Sequence, residues 1–276
     1  MKQYSVKKIN SFDECERFVR SFRADNPFSD PMLSNDEQMT NNLIKAIGKK
    51  ENHSVIGIFK NSKMVGLFSF LVLADEQYIE MLVGLSDDET AYKVMFSYLK
   101  EQFATYNADF VFNPNNYLLY NALKQNSAEF DVEQQKMIYN NSYLNIDTTG
   151  IELLTQPHIS SYLKMHNADM YWTGDKVIEA TDRFRTFIAI ENDTVVGYLD
   201  VTYCFDENEP YDLFVKVDYR RKGYGKKLLA KALEMNKPKG MALFVDIDNE
   251  PAICLYQSVG FVKVDNQNSL VAHLRI

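Results

Sequence analysis

The sequence is short of the residues that staple a fold or span a membrane. Its three cysteines, Cys15, Cys204 and Cys254, show no C-x-x-C spacing. An odd, scattered set argues against a disulfide framework and fits a reducing cytoplasm. No apolar run reaches the ~18 residues of a membrane-crossing helix. The N-terminal stretch MKQYSVKKINSFDECERF lacks the apolar core of a signal peptide, so neither secretion nor a membrane partner is expected. Positive charge is in deficit. Thirty Lys and Arg face 38 Asp and Glu, a net −8, and the surface as a whole repels nucleic acid and anionic lipid. No His, Cys and carboxylate set stands at metal-ligand spacing, so no metal is expected. What remains is a chain of 276 residues, 46% hydrophobic, long enough for one large or two ordinary domains.

Against that acidic background one stretch is basic: Leu213 to Lys231, LFVKVDYRRKGYGKKLLAK. Leu213, Val215 and Val217 alternate as in a strand, and Leu228, Leu229, Ala232 and Leu233 recur at helical spacing. Arg220, Arg221, Lys222, Gly223, Tyr224, Gly225 and Lys226 lie between. A helix start leaves its first N–H groups unpaired and partially positive, which makes such a turn an anion site. Glycines at 223 and 225 let a ligand approach the backbone. The turn suits a diphosphate, but it is not a Walker A loop, and a dinucleotide fingerprint would need a glycine where Leu228 stands.

The order Arg-x-x-Gly-x-Gly, with an apolar strand before it and Leu-Leu after it, resembles the pyrophosphate loop of the GNAT superfamily, the acyl-CoA-dependent N-acyltransferases. A second block strengthens the resemblance. A strand at Ala242–Asp246 is followed by Asn249, Pro251, Ala252, Tyr256, Gly260 and Phe261, like the family's next strand, Asn and Tyr-bearing helix. The close resemblance runs from about Phe187 to the C-terminus. It implies acetyl-CoA as cosubstrate and an amine acceptor, with acetyl transfer by direct attack. It also implies that backbone at Leu213, Val215 and Val217 holds the pantetheine arm, residues 220–226 the diphosphate, and Asn249 a pantetheine amide. Tyr256 would protonate the leaving thiolate. For the base the resemblance offers Glu209, Asp212 or a water chain, and a solvated Asp206–Glu209 loop is the alternative for Glu209. In the family, acceptors often bind near the domain's first helix, read here near Ile151–His166, where His158 and His166 themselves read as structural histidines. The segment Asn167–Asp175, with Asp169, Tyr171, Trp172 and Asp175, shapes the acceptor pocket, and its acidic residues suit a cationic amine or a lysine side chain. A non-catalytic acyl-CoA sensor is the competing class. A transferase using charged tRNA is disfavoured by the net charge.

The two halves read as copies. Phe59-Lys-Asn-Ser-Lys-Met-Val-Gly66 parallels Ile190-Glu-Asn-Asp-Thr-Val-Val-Gly197. Asn113 and Tyr120 parallel Asn249 and Tyr256 at nearly the same offset. The expected fold is α/β (α+β), with two GNAT-like domains, 1–140 and 141–276, each a mostly antiparallel sheet flanked by helices. In the first copy the phosphate loop is replaced by Gly84-Leu-Ser-Asp-Asp-Glu-Thr90, whose carboxylates would repel a diphosphate. One CoA per chain is expected, in the second half. A copy without a CoA site is kept for its contacts or its binding, and a pairing surface on it would make a homodimer.

Overall fold

The computed structural model describes residues 4–22, 36–141, 145–168 and 170–276. The chain divides into two compact units: Met1–Gln135 with Asp265–Ile276, and Lys136–Val264. Both are mixed α/β.

The first unit is built on one seven-stranded sheet. Its strand order is Tyr4–Lys8, His53–Lys60, Lys63–Leu73, Tyr78–Leu85, Asn107–Phe112, Leu270–Arg275 and Glu129–Phe130. Every neighbouring pair is antiparallel except Tyr78–Leu85 with Asn107–Phe112. The hairpin at Asn61-Ser62 has both residues at positive φ, 48° and 68°, a two-residue turn that matches strand twist. Alternation along the strands gives the sheet two apolar faces. Ile56, Ile58, Phe68, Phe70 and Phe110 pack with Tyr92, Met95, Phe96 and Leu99 of the helix Glu89–Gln102. Val55, Leu67, Val83 and Leu85 pack with Met39 and Leu43 of the helix Asp36–Gly48.

The second unit repeats that order. Ile151–Leu153, Phe184–Glu191, Thr194–Thr202 and Pro210–Val215 form one antiparallel sheet. Glu207–Asn208, Gly240–Asp246, Gln134–Tyr139 and Phe261–Lys263 form another. Glu207–Asn208 runs straight into Pro210–Val215, so a single extended segment belongs to both sheets. The helix Tyr224–Asn236 supplies Leu228, Leu229, Ala232 and Leu233 to the core beneath. In both units the hairpin's outer strand meets the next strand through a one-residue bulge. Leu82 is the extra residue in the first unit and Tyr211 in the second, where the register skips from Val83 to Met81 and from Asp212 to Pro210.

Three expectations need correction. The division at 140/141 does not match the compact units. Leu270–Arg275, expected to close the second half, lies between Asn107–Phe112 and Glu129–Phe130 in the first unit's sheet. Residues 136–139 take the equivalent position in the second, where Met137–Tyr139 pair with Phe261–Lys263. Local periodicity cannot reveal this exchange, because either strand fits either slot. The helix expected near 151–166 is a strand, Ile151–Leu153, then a turn and the short helix Ile159–Leu163; Pro157 suits only a first turn. The strand expected to reach Val217 ends at Val215. Val217 opens the 3₁₀ turn Val217–Tyr219 and is 70% exposed.

Because Leu270–Arg275 is an interior strand of the first sheet, removing residues 265–276 leaves two strands without their shared partner. The shortened chain is expected to lose the cooperative unfolding of the first unit. Hydrogen exchange read by mass spectrometry would show it: protection in Asn107–Phe112 should fall to the level of loops. Retained protection there would mean that the strand is dispensable.

Candidate active site

The site begins where two parallel strands separate. Glu207 and Asn208 pair with Gly240 and Met241. After that the first segment turns at its bulge to pair with Thr194–Thr202, while Gly240–Asp246 continues in the other sheet. Among the described residues no strand pairs along the facing edge of Pro210–Val215, which leaves its backbone for a ligand apart from the Val215 carbonyl that Arg220 holds. Asn208 anchors the point of separation. It is 1% exposed, accepts from the Phe205 amide at 3.0 Å, and donates to the Asn236 side chain at 2.8 Å.

The basic turn stands beyond the free end of Pro210–Val215. Gly223 is the N-cap of the helix Tyr224–Asn236 at φ 90°, and Arg221 is also at positive φ, 62°. Lys227 makes the first helical bond, to the Gly223 carbonyl at 3.0 Å. Among the described residues the amides of 221–226 have no backbone acceptor. Six consecutive free N–H groups at a helix start, beside cations, form an anion cradle. A Cβ at Gly223 would meet nothing within 4 Å, so the mouth is open. One at Gly225 would press on Leu255 Cδ2 at 3.2 Å. Arg220 donates through Nε to the Val215 carbonyl at 2.9 Å and leans on the Phe214 ring. Lys222 lies over Tyr219 at 4.8 Å. Lys227 is tied to Asp147 at 3.2 Å. The Tyr224 hydroxyl bonds Glu191, which with burial and its charge pushes the phenol up to about 12.

The first unit has the same helix start with the opposite chemistry. Asp88 caps Glu89–Gln102, accepting from the Thr90 amide at 2.9 Å and the Ala91 amide at 3.1 Å, and Lys60 pairs with it at 2.8 Å. There a carboxylate of the chain itself fills the cradle.

Tyr256 rises from the helix Glu250–Ser258, braced edge-on against Phe261 at 5.7 Å. Burial, then the charges of Asp212 and Glu209, push its phenol up to about 12. Tyr256, Glu209 and Asp212, all expected from sequence, are thus electrostatically coupled. The bulge at Tyr211 explains two of them. Asp212 pairs with Asp200, and Glu209 bonds Thr202, so residues three apart share the face that Asp200 and Thr202 occupy. Burial raises the Glu209 pKa, and the charge of Arg183 only partly opposes it. Burial also raises Asp212, against a hydrogen bond from Tyr198 and the charge of His166.

Asn249 is placed differently from expectation. It is exposed and caps its helix, accepting the Ala252 amide at 3.2 Å. Asp169 lies outside the described residues. Tyr171 is 75% exposed, and Trp172 packs edge-on against Phe184 at 5.0 Å. Arg183, whose guanidinium lies over Trp172 at 4.9 Å and Phe205 at 5.2 Å, was not anticipated.

Sequence reasoning also missed Asp200, and it read His166 as a structural residue. Asp200 is fully buried and accepts from Tyr162 at 2.9 Å, from Thr186, and from His166 at 3.1 Å. His166 Nε2 is also 3.6 Å from Asp212. The signal was available: Asp200 is a lone carboxylate in the apolar strand Thr194–Thr202, and a buried charge needs partners. The ligand atoms of His166, Asp200 and Asp212 all lie within 4.8 Å of one another. Hydroxyl and imidazole donors already occupy both Asp200 oxygens and one of Asp212, so the set reads as a hydrogen-bonded cluster.

Comparison with known proteins agrees with this geometry. Residues 182–263 match the family model described as "Acetyltransferase (GNAT) domain". The uncharacterized protein ML0378 of Mycobacterium leprae (strain TN) is 38% identical over 76 residues, 26% of this chain and 21% of that one. The matched region thus spans about a fifth of the length of that curated relative. Among solved structures, a GCN5-related N-acetyltransferase from Sphaerobacter thermophilus superposes with TM-score 0.65 at 8% identity, covering 99% of this chain and 95% of its own. A tandem GNAT protein from the clavulanic acid biosynthesis pathway superposes with TM-score 0.55 at 9% identity, covering 99% and 98%. The likeness to a GNAT acetyltransferase domain thus lies within the second unit.

Gly223→Asp would give the second unit the cap that Asp88 provides in the first. Its carboxylate would compete for the same amides. Binding of inorganic pyrophosphate, measured by calorimetry, is expected to weaken at least about tenfold, which corresponds to about 1.4 kcal/mol, with the melting temperature lowered by the strain of an L side chain at φ 90°. Undiminished pyrophosphate affinity would show that the anion is held elsewhere.

Proposed function

We propose that the second unit transfers an acetyl group from acetyl-CoA to a primary amine. The observation that carries this reading is the pairing of an open anion cradle at 221–226 with a divergent segment that carries Glu209 and Asp212, whose charges act on Tyr256. The cradle amides, with Arg221, Lys222 and Lys226, would bind the diphosphate. Free backbone along Pro210–Val215 would bond the pantetheine arm, with Val215 its last strand residue through its amide, since Arg220 holds the Val215 carbonyl. Val217, outside the strand and exposed, has a weaker claim to that role. Asn249 would contribute the side-chain nitrogen that its capping bond leaves over.

The chemistry needs four provisions: a neutral amine, close approach, a polarised carbonyl and a proton for sulfur. A raised carboxylate pKa makes Glu209 and Asp212 candidates to accept the acceptor's proton. The neutral amine forms a bond to the thioester carbon, the C–S bond breaks, and the nitrogen's remaining surplus proton returns, through solvent, to Tyr256 in place of the one that it gives to sulfur. The leaving thiolate takes a proton from Tyr256. That phenol is held in its neutral, donating form through the whole neutral range, because its pKa lies near 12. The product is an N-acetyl amine and free CoA.

The first unit is the degenerate partner in this reading. Asp88 occupies its helix start, so one CoA per chain is expected. Its retention implies contacts or binding of its own, including the pairing surface of a homodimer.

Tyr256→Phe keeps the ring and its packing on Phe261 and removes the proton donor. With acetyl-CoA and a panel of amines, peptides and aminoglycosides, free-thiol release should fall about 10²-fold in kcat, with acetyl-CoA affinity near that of the unsubstituted protein. A kcat within about twofold would leave Tyr256 as packing alone.

A further inference from the structure

The buried charge cluster behind Asp212 takes the acetyl-transfer reading further. The His166 side chain is 2% exposed and that of Asp200 0%, while Asp212 keeps 18%. Of these three, Asp212 is the one that connects the cluster with the site. Each nitrogen of the His166 ring faces an acceptor. Nδ1 meets the Asn167 carbonyl oxygen at 3.0 Å, which can only accept. Nε2 meets Asp200 at 3.1 Å and Asp212 at 3.6 Å. Both Asp200 oxygens already receive hydroxyls, from Tyr162 and Thr186, and Asp212 receives the Tyr198 hydroxyl at 2.6 Å. Hydroxyl donors on both Asp200 oxygens and on one oxygen of Asp212, with acceptors on both ring nitrogens, fit one protonation state, the imidazolium. Two rings hold the cation flat: Tyr198 stacks on it at 5.3 Å with 13° between planes, and Tyr162 meets it edge-on at 5.3 Å. Burial works against this charge, but the bond to Asp200, the bond to Asn167 and the two carboxylate charges outweigh it and raise the His166 pKa.

We propose that His166 is a positioning residue: a fixed imidazolium that holds Asp212 as an anion aimed into the site, so that Asp212 anchors the acceptor's ammonium and Glu209 is left to take its proton. The division of labour follows from the partners. Asp212 is braced by Tyr198 and His166, as an anchor must be. The Glu209 carboxylate has no hydrogen bond or ion pair among the described residues and is free to change protonation. The groups facing His166 are Tyr162 on its own helical segment, Asp200 and Tyr198 on Thr194–Thr202, and Asp212 on Pro210–Val215. Around the site, His166 and Arg183 set two cations against the carboxylates of Asp200, Glu209 and Asp212. One negative charge is left, which one ammonium group cancels. The acceptor is therefore an amine that arrives protonated, such as an alkylamine, a polyamine or a lysine side chain, rather than an arylamine or a hydroxyl compound.

The inference rests on the acetyl-transfer reading for its biology but is tested apart from it. In the full chain, ¹⁵N NMR of the His166 ring should show both nitrogens protonated at pH 8, and Asp212→Asn should lower its pKa. With 1,5-diaminopentane as probe, calorimetry should show binding weakened at least about tenfold by Asp212→Asn and by His166→Gln. The double variant should be no weaker than Asp212→Asn alone, because His166 acts only through Asp212. In acetyl transfer to the same diamine, loss of the imidazolium raises the Asp212 pKa. His166→Gln should then move the acid limb of kcat/KM to higher pH, where a merely structural loss would lower the whole profile evenly. A neutral His166 ring, no uptake of the diamine, or additive effects of the two substitutions would overturn the proposal. Failure of pyrophosphate binding and of thioester turnover would instead overturn the acetyl-transfer reading and leave the NMR and diamine results standing.

Discussion

Everything in the second unit's site depends on two parallel strands that pair for two residues and then part. A sheet normally spends every backbone N–H and C=O on its neighbours. Here Glu207–Asn208 and Gly240–Met241 pair, and beyond them each strand serves a different sheet. The bulge at Tyr211 lets the first segment make that turn. It also sets Glu209 and Asp212 on one face, which regular alternation would have forbidden. Separation of the strands and convergence of the carboxylates thus have one geometric cause.

The two units show how little of a fold's chemistry its topology determines. They share a strand order, a parallel pair and a bulge at equivalent positions. What differs is the residue at one helix cap. Asp88 satisfies the amides above it and draws in Lys60, whereas Gly223 leaves its amides bare beside a row of cations. A single capping choice separates a closed structural turn from an anion cradle.

Much of this was legible in the sequence because it is local. The basic turn, the glycine at the helix start, the hairpins at Asn61-Ser62 and Asn192-Asp193, and the apolar faces of Glu89–Gln102 and Tyr224–Asn236 each follow from residues within a few positions of one another. What was not legible depends on distant partners. His166 acquires its meaning from Asp200 and Asp212, on two strands far along the chain. Glu209 could not be told from a solvated loop residue without the bulge that turns it inward. Asn249 read as a ligand residue, yet it is first of all a helix cap. The crossed strands Gln134–Tyr139 and Leu270–Arg275 are interchangeable by local pattern, and only pairing distinguishes them.

That crossing bears on the order in which the chain can fold as it is made. The first unit has most of its residues early, but an interior strand of its sheet is Leu270–Arg275. Until residue 275 has left the ribosome, Asn107–Phe112 and Glu129–Phe130 have a gap between them and exposed edges on both sides of it. The second unit has no such wait, because 136–139 are synthesised before the rest of it. The later half can therefore close first, and the earlier half must hold an unfinished sheet through the synthesis of more than a hundred further residues.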